Sequence, residues 1–477
     1  MDPAAEELKN QANEVFKNKD YERALELYSK AIEVDGTSAV LYSNRSFAYL
    51  KTESFGAALE DAGRAIECDP KYIKGYYRRA SANMAMGQFS KALKDYESVF
   101  KVKPKDPDVR KKVTECRKIV KQRAFERAIA SEEKEEAPLT NYENITVSDS
   151  YKGPRLNENC QPTVEFMEQL ETTFKAQKEL HKRYIFHMLT IALEKFRKLP
   201  TMIDISVPDD GKLTVCGDTH GQYYDLCNIF KLNGPPSPEN PYLFNGDFVD
   251  RGSWGLEVFM TLLGWWLHDP KCMYLTRGNH ETKNMNELYG FEGEVKHKVG
   301  PNAFRTFQTL FQSLPVAYLI NKRVLVMHGG LPMVDNIELD DIRKLDRFCE
   351  PGEAGTLTDL LWADPQDAPG RGTSKRGTSA QFGPDITAEF CKQNGLDYII
   401  RSHEVKEKGW ESAHNGKCWT IFSAPNYCDQ RGNDGAYLTI RPDNNLVPIP
   451  NEFKAVEHPP CQPMMYANPM MRMAGLI

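Results

Sequence analysis

The sequence predicts a multidomain chain, an all-α superhelix of repeated helical pairs followed by an α/β domain. Residues 5–106 repeat without gaps at a 34-residue spacing, residues 155–460 alternate helical stretches with short apolar runs, and five of those runs end in a polar, glycine-containing motif. At 477 residues the chain is too long for one ordinary core. Its 40% hydrophobic and 27% charged residues are ordinary for a globular protein.

The repeats are 5–38, 39–72 and 73–106. Small residues recur at Ala12, Ser46 and Ala80 and at Ala24, Ala58 and Ala92, and aromatics at Tyr21, Phe55 and Phe89. Small residues let paired helices approach closely and aromatics fill the gaps between them. Asp69-Pro70, Lys103-Pro104 and Asp35-Gly36 break one unit from the next. The pattern resembles three tetratricopeptide repeats, whose stacking implies a concave groove lined by the first helix of each pair. Lys9 and Asn13, Asn44, and Lys74 and Arg78 fall on those helices, and four-residue spacings put Lys9/Asn13 and Lys74/Arg78 each on one face. The set resembles the carboxylate clamp of repeat proteins that bind heat-shock chaperones. The resemblance implies a partner: the C-terminal Glu-Glu-Val-Asp peptide of the ninety-kilodalton chaperone, its carboxylates met by ammonium, guanidinium and amide donors.

Residues 107–130 carry helical periodicity through Val109, Val113, Cys116, Val120 and Ile129 and are expected to extend the last repeat. The polar, acidic stretch 131–150 reads as a linker between domains that can move relative to each other.

In the back half, 151–460, Leu213–Cys216 runs into Gly-Asp-Thr-His-Gly, Tyr242–Asn245 into Gly-Asp-Phe-Val-Asp-Arg-Gly, and Met273–Thr276 into Arg-Gly-Asn-His-Glu. Val324–Met327 runs into His328-Gly-Gly, and Tyr398–Arg401 into Ser-His403-Glu. Each run has strand length, and polar loops at the carboxyl ends of buried strands are where α/β folds place their chemistry. The converging candidates are Asp218, His220, Asp247, Asn279, His328 and His403. Carboxylate, imidazole and amide donors together suit manganese, iron or zinc. Six are too many for one ion with an open position and fit two ions about 3.5–4 Å apart sharing one carboxylate. A lone histidine after an apolar run is more often a core residue; six donors in these motifs are a different matter.

With Ser423–Cys428 (Ser-Ala-Pro-Asn-Tyr-Cys), these motifs resemble the serine/threonine phosphoprotein phosphatases over nearly all of 210–440. The three repeats in front match the repeat-bearing branch of that family. The resemblance implies a metallophosphoesterase β-sandwich flanked by helices. It implies that Asp218 and His220 hold one metal, that Asp247 bridges, and that Asn279, His328 and His403 complete the second. Arg251 and Arg376 would clamp phosphate oxygens, His280 oriented by Asp250 would protonate the leaving alkoxide, and Asn279 and Tyr427 would line the substrate pocket. A water acidified by the two ions would attack phosphorus in line. Manganese is the expected ion in vitro, with iron and zinc left open. Thr276 stands where the family usually has leucine, on the strand and clear of any ligand. The methionine-rich tail 461–477 is expected to form a helix that helps the repeats hold the cleft closed.

Other classes are excluded. No apolar run reaches bilayer length, and the acidic start MDPAAEELKN lacks a secretory pattern. A cytoplasmic chain is expected, with nuclear access open. The eleven cysteines form no C-x-x-C pair and read as free thiols. Cys272 and Arg277 are one position too close for a cysteine phosphatase. Residues 1–130 carry 25 basic and 20 acidic side chains within a chain of net charge -6, and no sustained basic-plus-aromatic pattern argues for nucleic acid. Phosphoproteins are the expected substrates of what reads as a monomer.

Overall fold

The computed structural model describes residues 2–130, 142–157, 161–462, 464–469 and 471. The chain divides into two compact units. One is Met1–Glu136 with Thr373–Thr378 and Asn468–Ile477; the other is Ala137–Gly372 with Ser379–Ala467.

The first unit stacks helical pairs: α1 (Pro3–Lys17) with α2 (Tyr21–Val34), α3 (Ala39–Lys51) with α4 (Phe55–Cys68), and α5 (Ile73–Ala85) with α6 (Phe89–Val102), then α7 (Pro107–Ala130). Asp2 caps α1 through Ala4 N at 2.8 Å and Asp20 caps α2 through Arg23 N at 3.1 Å, each taking up a backbone donor that the first turn leaves unpaired. The recurring small residues Ala12, Ser46, Ala80, Ala24, Ala58 and Ala92 are fully buried. Ser46 offsets the burial of its hydroxyl by donating to Ala58 O at 2.7 Å. A second repeat feature went unread in the sequence. Arg45 forks onto Asp61 at 2.7 and 2.8 Å, and 34 positions on Arg79 forks onto Asp95 at 2.8 Å twice. Repeat one has Gln11 and Leu27 at these places.

The second unit is a sandwich of two sheets. Its strands are β1 (Met202–Ile205), β2 (Leu213–Cys216), β3 (Tyr242–Phe244), β4 (Met273–Leu275), β5 (Ala317–Ile320), β6 (Val324–Met327), β7 (Asp364–Pro365), β8 (Arg371–Thr373), β9 (Ala380–Phe382), β10 (Tyr398–Arg401), β11 (Trp410–Ala413), β12 (Cys418–Ile421), β13 (Gly435–Ile440) and β14 (Ile449–Phe453). One sheet runs β14-β13-β2-β3-β4, the other β1-β5-β6-β10-β12-β11, and β7-β9-β8 form a small third. Leu213, Val215 and Leu243 from one sheet meet Val324, Val326, Ile400 and Ile421 from the other in one apolar layer. Helices cover both outer faces. Helix Gly255–His268 is buried from Gly255 to Leu267, as a helix that is apolar all round must be. Helices Thr356–Trp362 and Pro384–Asn394 supply Leu360, Phe390 and Cys391 to the other face. Because β2-β3-β4 and β6-β10-β12 are each parallel, their carboxyl ends fall together and carry every motif named above.

One expectation differs and another is met in part. Within the expected linker 131–150, residues 131–141 lie outside the described residues. Tyr142–Asn144 form a short 3-10 turn, and Tyr142 and Ile145 pack on the apolar core of the second unit, with Ile145 O accepting from Arg183 Nη1 at 3.0 Å. The few apolar residues of this polar stretch find an apolar surface, so its second half is part of the second unit. Of the tail expected as a helix over 461–477, residues 461–462, 464–469 and 471 are described: Met464 to Tyr466 form a turn, closed by Ala467 N donating to Met464 O at 3.0 Å, and Pro469 and Met471 are helical.

Candidate metal centre and active site

Three strands of one sheet deliver one half of the site and three of the other deliver the rest. Asp218 and His220 follow β2, Asp247, Asp250 and Arg251 follow β3, and Asn279 and His280 follow β4. His328 follows β6, His403 follows β10, and Tyr427 follows β12. All ten are buried. Asp247 sits centrally, its Oδ2 lying 3.5 Å from His220 Nε2 and 3.3 Å from His328 Nε2. Asp218 Oδ2 lies 3.6 Å from His220 Nε2, and His403 N donates to Asp218 Oδ1 at 3.1 Å. Ligating atoms of Asp247, His328 and His403 fall within 4.8 Å of one another, and so do those of His220, Asp247 and His280.

The residues fit a cation. His220 Nδ1 meets Val249 O at 3.0 Å and His328 Nδ1 meets Asn245 O at 2.7 Å, so each Nδ1 carries the proton and each Nε2 lone pair faces inward. His328 Nε2 then points at Asn279 Oδ1 from 2.9 Å, acceptor against acceptor, a pairing that a cation between them would reconcile. Burial lowers the His328 pKa and lowers that of His220 strongly, which favours the metal over the proton. Asp218 Oδ2 is buried with no hydrogen-bond partner. Burial, with the Asp247 carboxylate adding to it, pushes the Asp218 carboxyl up to about 7, a state that a bound cation reverses.

Beside the cluster, His280 Nδ1 meets Asp250 Oδ2 at 2.7 Å, and the His280 ring lies edge-on to His220 at 4.7 Å. Arg251 stacks its guanidinium on Tyr289 at 3.8 Å, and its Nη1 lies 3.9 Å from Met464 Sδ. Tyr427 packs 5.2 Å from the His220 ring. Arg376 is half-buried on the Thr373–Thr378 segment, which groups with the first unit; the cluster is built without it. Glu281 was quoted in its motif but given no role. Its carboxylate accepts from Asp247 N at 2.8 Å and from Phe248 N and Gly278 N at 2.9 Å, tying the β3 loop to the β4 loop.

In the first unit Asn13 Oδ1 accepts from Tyr28 OH at 2.6 Å and Asn44 Nδ2 at 3.3 Å. Arg78 lies over Phe47 at 3.6 Å, and burial lowers its pKa. Lys9 pairs with Glu6, and Lys74 is exposed. Lys51 was missed. Burial lowers its pKa, with the Arg78 charge second; Lys112 is fully buried and its Nζ lies 3.1 Å from Asp108 Oδ2.

Residues 211–407 match the calcineurin-like phosphoesterase family, 113–204 a family described as the PPP5 TPR repeat region, and 73–106 the tetratricopeptide repeat. Serine/threonine-protein phosphatase 5 of Homo sapiens is 54% identical over 471 residues, covering 98% of this chain and 94% of that protein. The chain belongs to the serine/threonine-protein phosphatase 5 family. Serine/threonine-protein phosphatase T of Schizosaccharomyces pombe is 51% identical over 475 residues and 99% of each chain. A solved serine/threonine phosphatase from Saccharomyces cerevisiae, 44% identical, matches with a TM-score of 0.62 over 64% of this chain and all of its own. The chain is therefore a serine/threonine protein phosphatase of the metallophosphoesterase class. Among the described residues no helix is long and apolar enough to cross a membrane, and the ten described cysteines are free.

Proposed function

We propose that this phosphatase hydrolyses phosphoserine and phosphothreonine at a two-metal site, with a repeat domain that docks a carboxylate-ended chaperone peptide and restrains turnover. The observation that carries the reading is Asp247 Oδ2, set within 3.5 Å of imidazole nitrogens from both sheets, where a shared carboxylate belongs. Asp218 and His220 would hold one ion and Asn279, His328 and His403 the other, with manganese, iron and zinc all suited to these donors. Such a pair supplies Lewis acidity and a water acidic enough to react near neutral pH. Arg251 binds the non-bridging phosphate oxygens and offsets their charge, the part that the family resemblance also gives to Arg376. Asn279 and Tyr427 line the same pocket. His280, its Nδ1 held by Asp250, presents Nε2 to the departing serine or threonine oxygen and gives it a proton.

A second reading has its own support, because His280 shares a 4.8 Å cluster with His220 and Asp247. His280→Ala separates the two: retained metal with lost peptide turnover leaves His280 the acid, and lost metal makes it a ligand.

The docking reading is supported by Asn44 Nδ2 meeting Asn13 Oδ1 and by the Lys51 ammonium lying close enough to Arg78 for their charges to interact, donors suited to a terminal carboxylate. Restraint by the tail is supported by Met464, whose N donates to Arg251 O at 2.8 Å and whose sulfur lies on the guanidinium that would bind phosphate. The test is hydrolysis of a phosphoserine peptide with manganese beside Asp247→Asn. The variant is expected to lose at least about 10²-fold in kcat, on the scale set by removing one electrostatic contact to a transition state. Unchanged turnover would reject the two-metal reading.

A further inference from the structure

Behind the His280–Asp250 pair lies a line of amides that no motif names. Gln308, on helix Ala303–Ser313, donates from Nε2 to Asn286 Oδ1 at 2.7 Å. Asn286, on helix Lys283–Tyr289, spends both N–H groups, one on Asp250 Oδ2 at 2.9 Å and one on His280 O at 2.6 Å. Asp250 Oδ2 in turn meets His280 Nδ1 at 2.7 Å, while its Oδ1 accepts from Phe291 N at 2.8 Å. Asn286 and Asp250 are fully buried and Gln308 is 7% exposed, so water does not compete for these bonds.

An asparagine side chain has two faces of nearly equal shape, and only one attracts a carboxylate. Turned over, Asn286 would set its oxygen against Asp250 Oδ2 and lose the bond to His280 O. Gln308 adds to the cost of that alternative by placing a donor on Asn286 Oδ1. Its own Oε1 is buried with no hydrogen-bond partner, a cost to stability that methionine or leucine would not carry. A residue kept at that cost in a buried line ending at the active site is better explained by what it orients than by what it packs.

We propose that Gln308 and Asn286 are positioning residues for proton delivery. Gln308 fixes the Asn286 amide, the amide binds Asp250 and His280 as one unit, and the imidazole is thereby aimed at the leaving oxygen. The inference rests on His280 being the proton donor, as argued above. In that step a hydroxide oxygen bonds to phosphorus, the bond between phosphorus and the serine oxygen breaks, the electron pair stays on the serine oxygen, and the His280 Nε2 proton joins it.

The test exploits the leaving group. A phosphoserine peptide releases an alkoxide that must be protonated, whereas p-nitrophenyl phosphate releases a phenolate stable without a proton. In the full-length chain with manganese, Gln308→Met is expected to lower the ratio of kcat on the peptide to kcat on p-nitrophenyl phosphate about tenfold, with KM little changed. Its melting temperature is expected to hold or rise, since an unpaired buried oxygen is removed. Asp250→Asn should lower the ratio further, and Gln308→Met should add nothing in that background. Gln308→Leu repeats the comparison if methionine packs badly. As a readout without turnover, the His280 Nδ1 proton should exchange faster with solvent in Gln308→Met than in the parent, by proton NMR of the metal-free chain. Equal slowing on both substrates, or losses that add in the double variant, would overturn the proposal. An unchanged ratio in Asp250→Asn would bring down the proton-donor reading itself. A lowered ratio there with none in Gln308→Met or Gln308→Leu would bring down only the present inference.

Discussion

His220, Asp247, Asp250, Arg251 and His403 hold φ between +40° and +73°, in a region that side chains other than glycine seldom occupy. Each such residue costs on the order of 1–3 kcal/mol, and all five sit where strands of the two sheets end in a motif. The strain is held by pairings such as the three backbone N–H groups on Glu281. Gly278 is a joint of another kind, packed directly on the shared carboxylate. A Cβ there would meet Asp247 Oδ1 at 2.3 Å and Asp247 N at 2.4 Å, so Gly278→Ala must push the shared carboxylate aside. The expected outcome is a loss of at least about 10²-fold in kcat on a phosphoserine peptide, the scale of an ångström misplacement; activity within a few-fold of the parent would show that the joint has slack. Asp225 makes a separate prediction. Burial pushes its carboxyl up to about 6, against hydrogen bonds from Val456 N at 3.0 Å and Gln222 Nε2 at 2.8 Å. A carboxyl raised in the folded state contributes stability that is full below its ordinary value near 4 and lost as pH rises through about 6. The stability of the parent relative to Asp225→Asn should therefore fall by about 2–3 kcal/mol between pH 4 and pH 8 in denaturant titrations of the catalytic unit. A difference that stays flat with pH would mean that the hydrogen bonds hold the carboxylate charged. The residues of the site were legible in sequence where a motif abuts a strand. Asn286 and Gln308 were not, because single polar residues inside helices carry no spacing signal.

At the scale of elements, repetition is what made the front half readable. Helices α2, α4 and α6 begin at Tyr21, Phe55 and Phe89, 34 residues apart, at the recurring aromatics. The Arg45–Asp61 and Arg79–Asp95 forks obey the same spacing, yet a charge pair 16 residues apart looks like surface decoration until the helices are stacked. Asp61 is 4% exposed, so Asp61→Ala leaves the Arg45 guanidinium short of its acceptors in a half-buried place. The expected cost is about 2 kcal/mol to the repeat unit's unfolding transition, the usual price of stranding a charged hydrogen bond. A cost under about 0.5 kcal/mol, the level of an exposed pair, would place this fork among ordinary surface ion pairs. In the back half, the five apolar runs that end in motifs coincide with β2, β3, β4, β6 and β10 to within a residue. The edge strands β11 and β14 were not singled out, for their half-exposed residues alternate weakly and no motif marks their ends. Tyr142 and Ile145 were absorbed into a linker for the converse reason, two apolar residues in a polar stretch being too few to show a period.

The whole molecule joins two units for which separate ligands are proposed, and linkage would make their coupling measurable. A ligand held only by the folded state stabilises it by about 2.7 kcal/mol at a hundred times its dissociation constant. Manganese should therefore raise the melting transition of the catalytic unit, and chelation should lower it by the same amount. A peptide ending in Glu-Glu-Val-Asp should raise the transition of the repeat unit. Restraint adds a further condition. If a closed form outnumbers an open one n to 1, turnover is reduced (n+1)-fold, and a tenfold restraint corresponds to only about 1.4 kcal/mol of bias. The docking peptide can relieve it only by binding the open form better, and reciprocity then requires that an active-site ligand selecting the open form tighten the peptide by the same factor. Deleting residues 1–130 should raise turnover on p-nitrophenyl phosphate to the level reached by the full chain with saturating peptide. If the tail shares in that restraint, Met464→Ala in the full chain should recover part of the gain, because the Met464 sulfur lies on Arg251. The small substrate keeps peptide recognition out of the comparison, so any change reports access to the metal centre itself. If the truncated and full-length chains turn over equally, the repeats dock a partner without holding the enzyme back, and the contact between Met464 and Arg251 is packing alone.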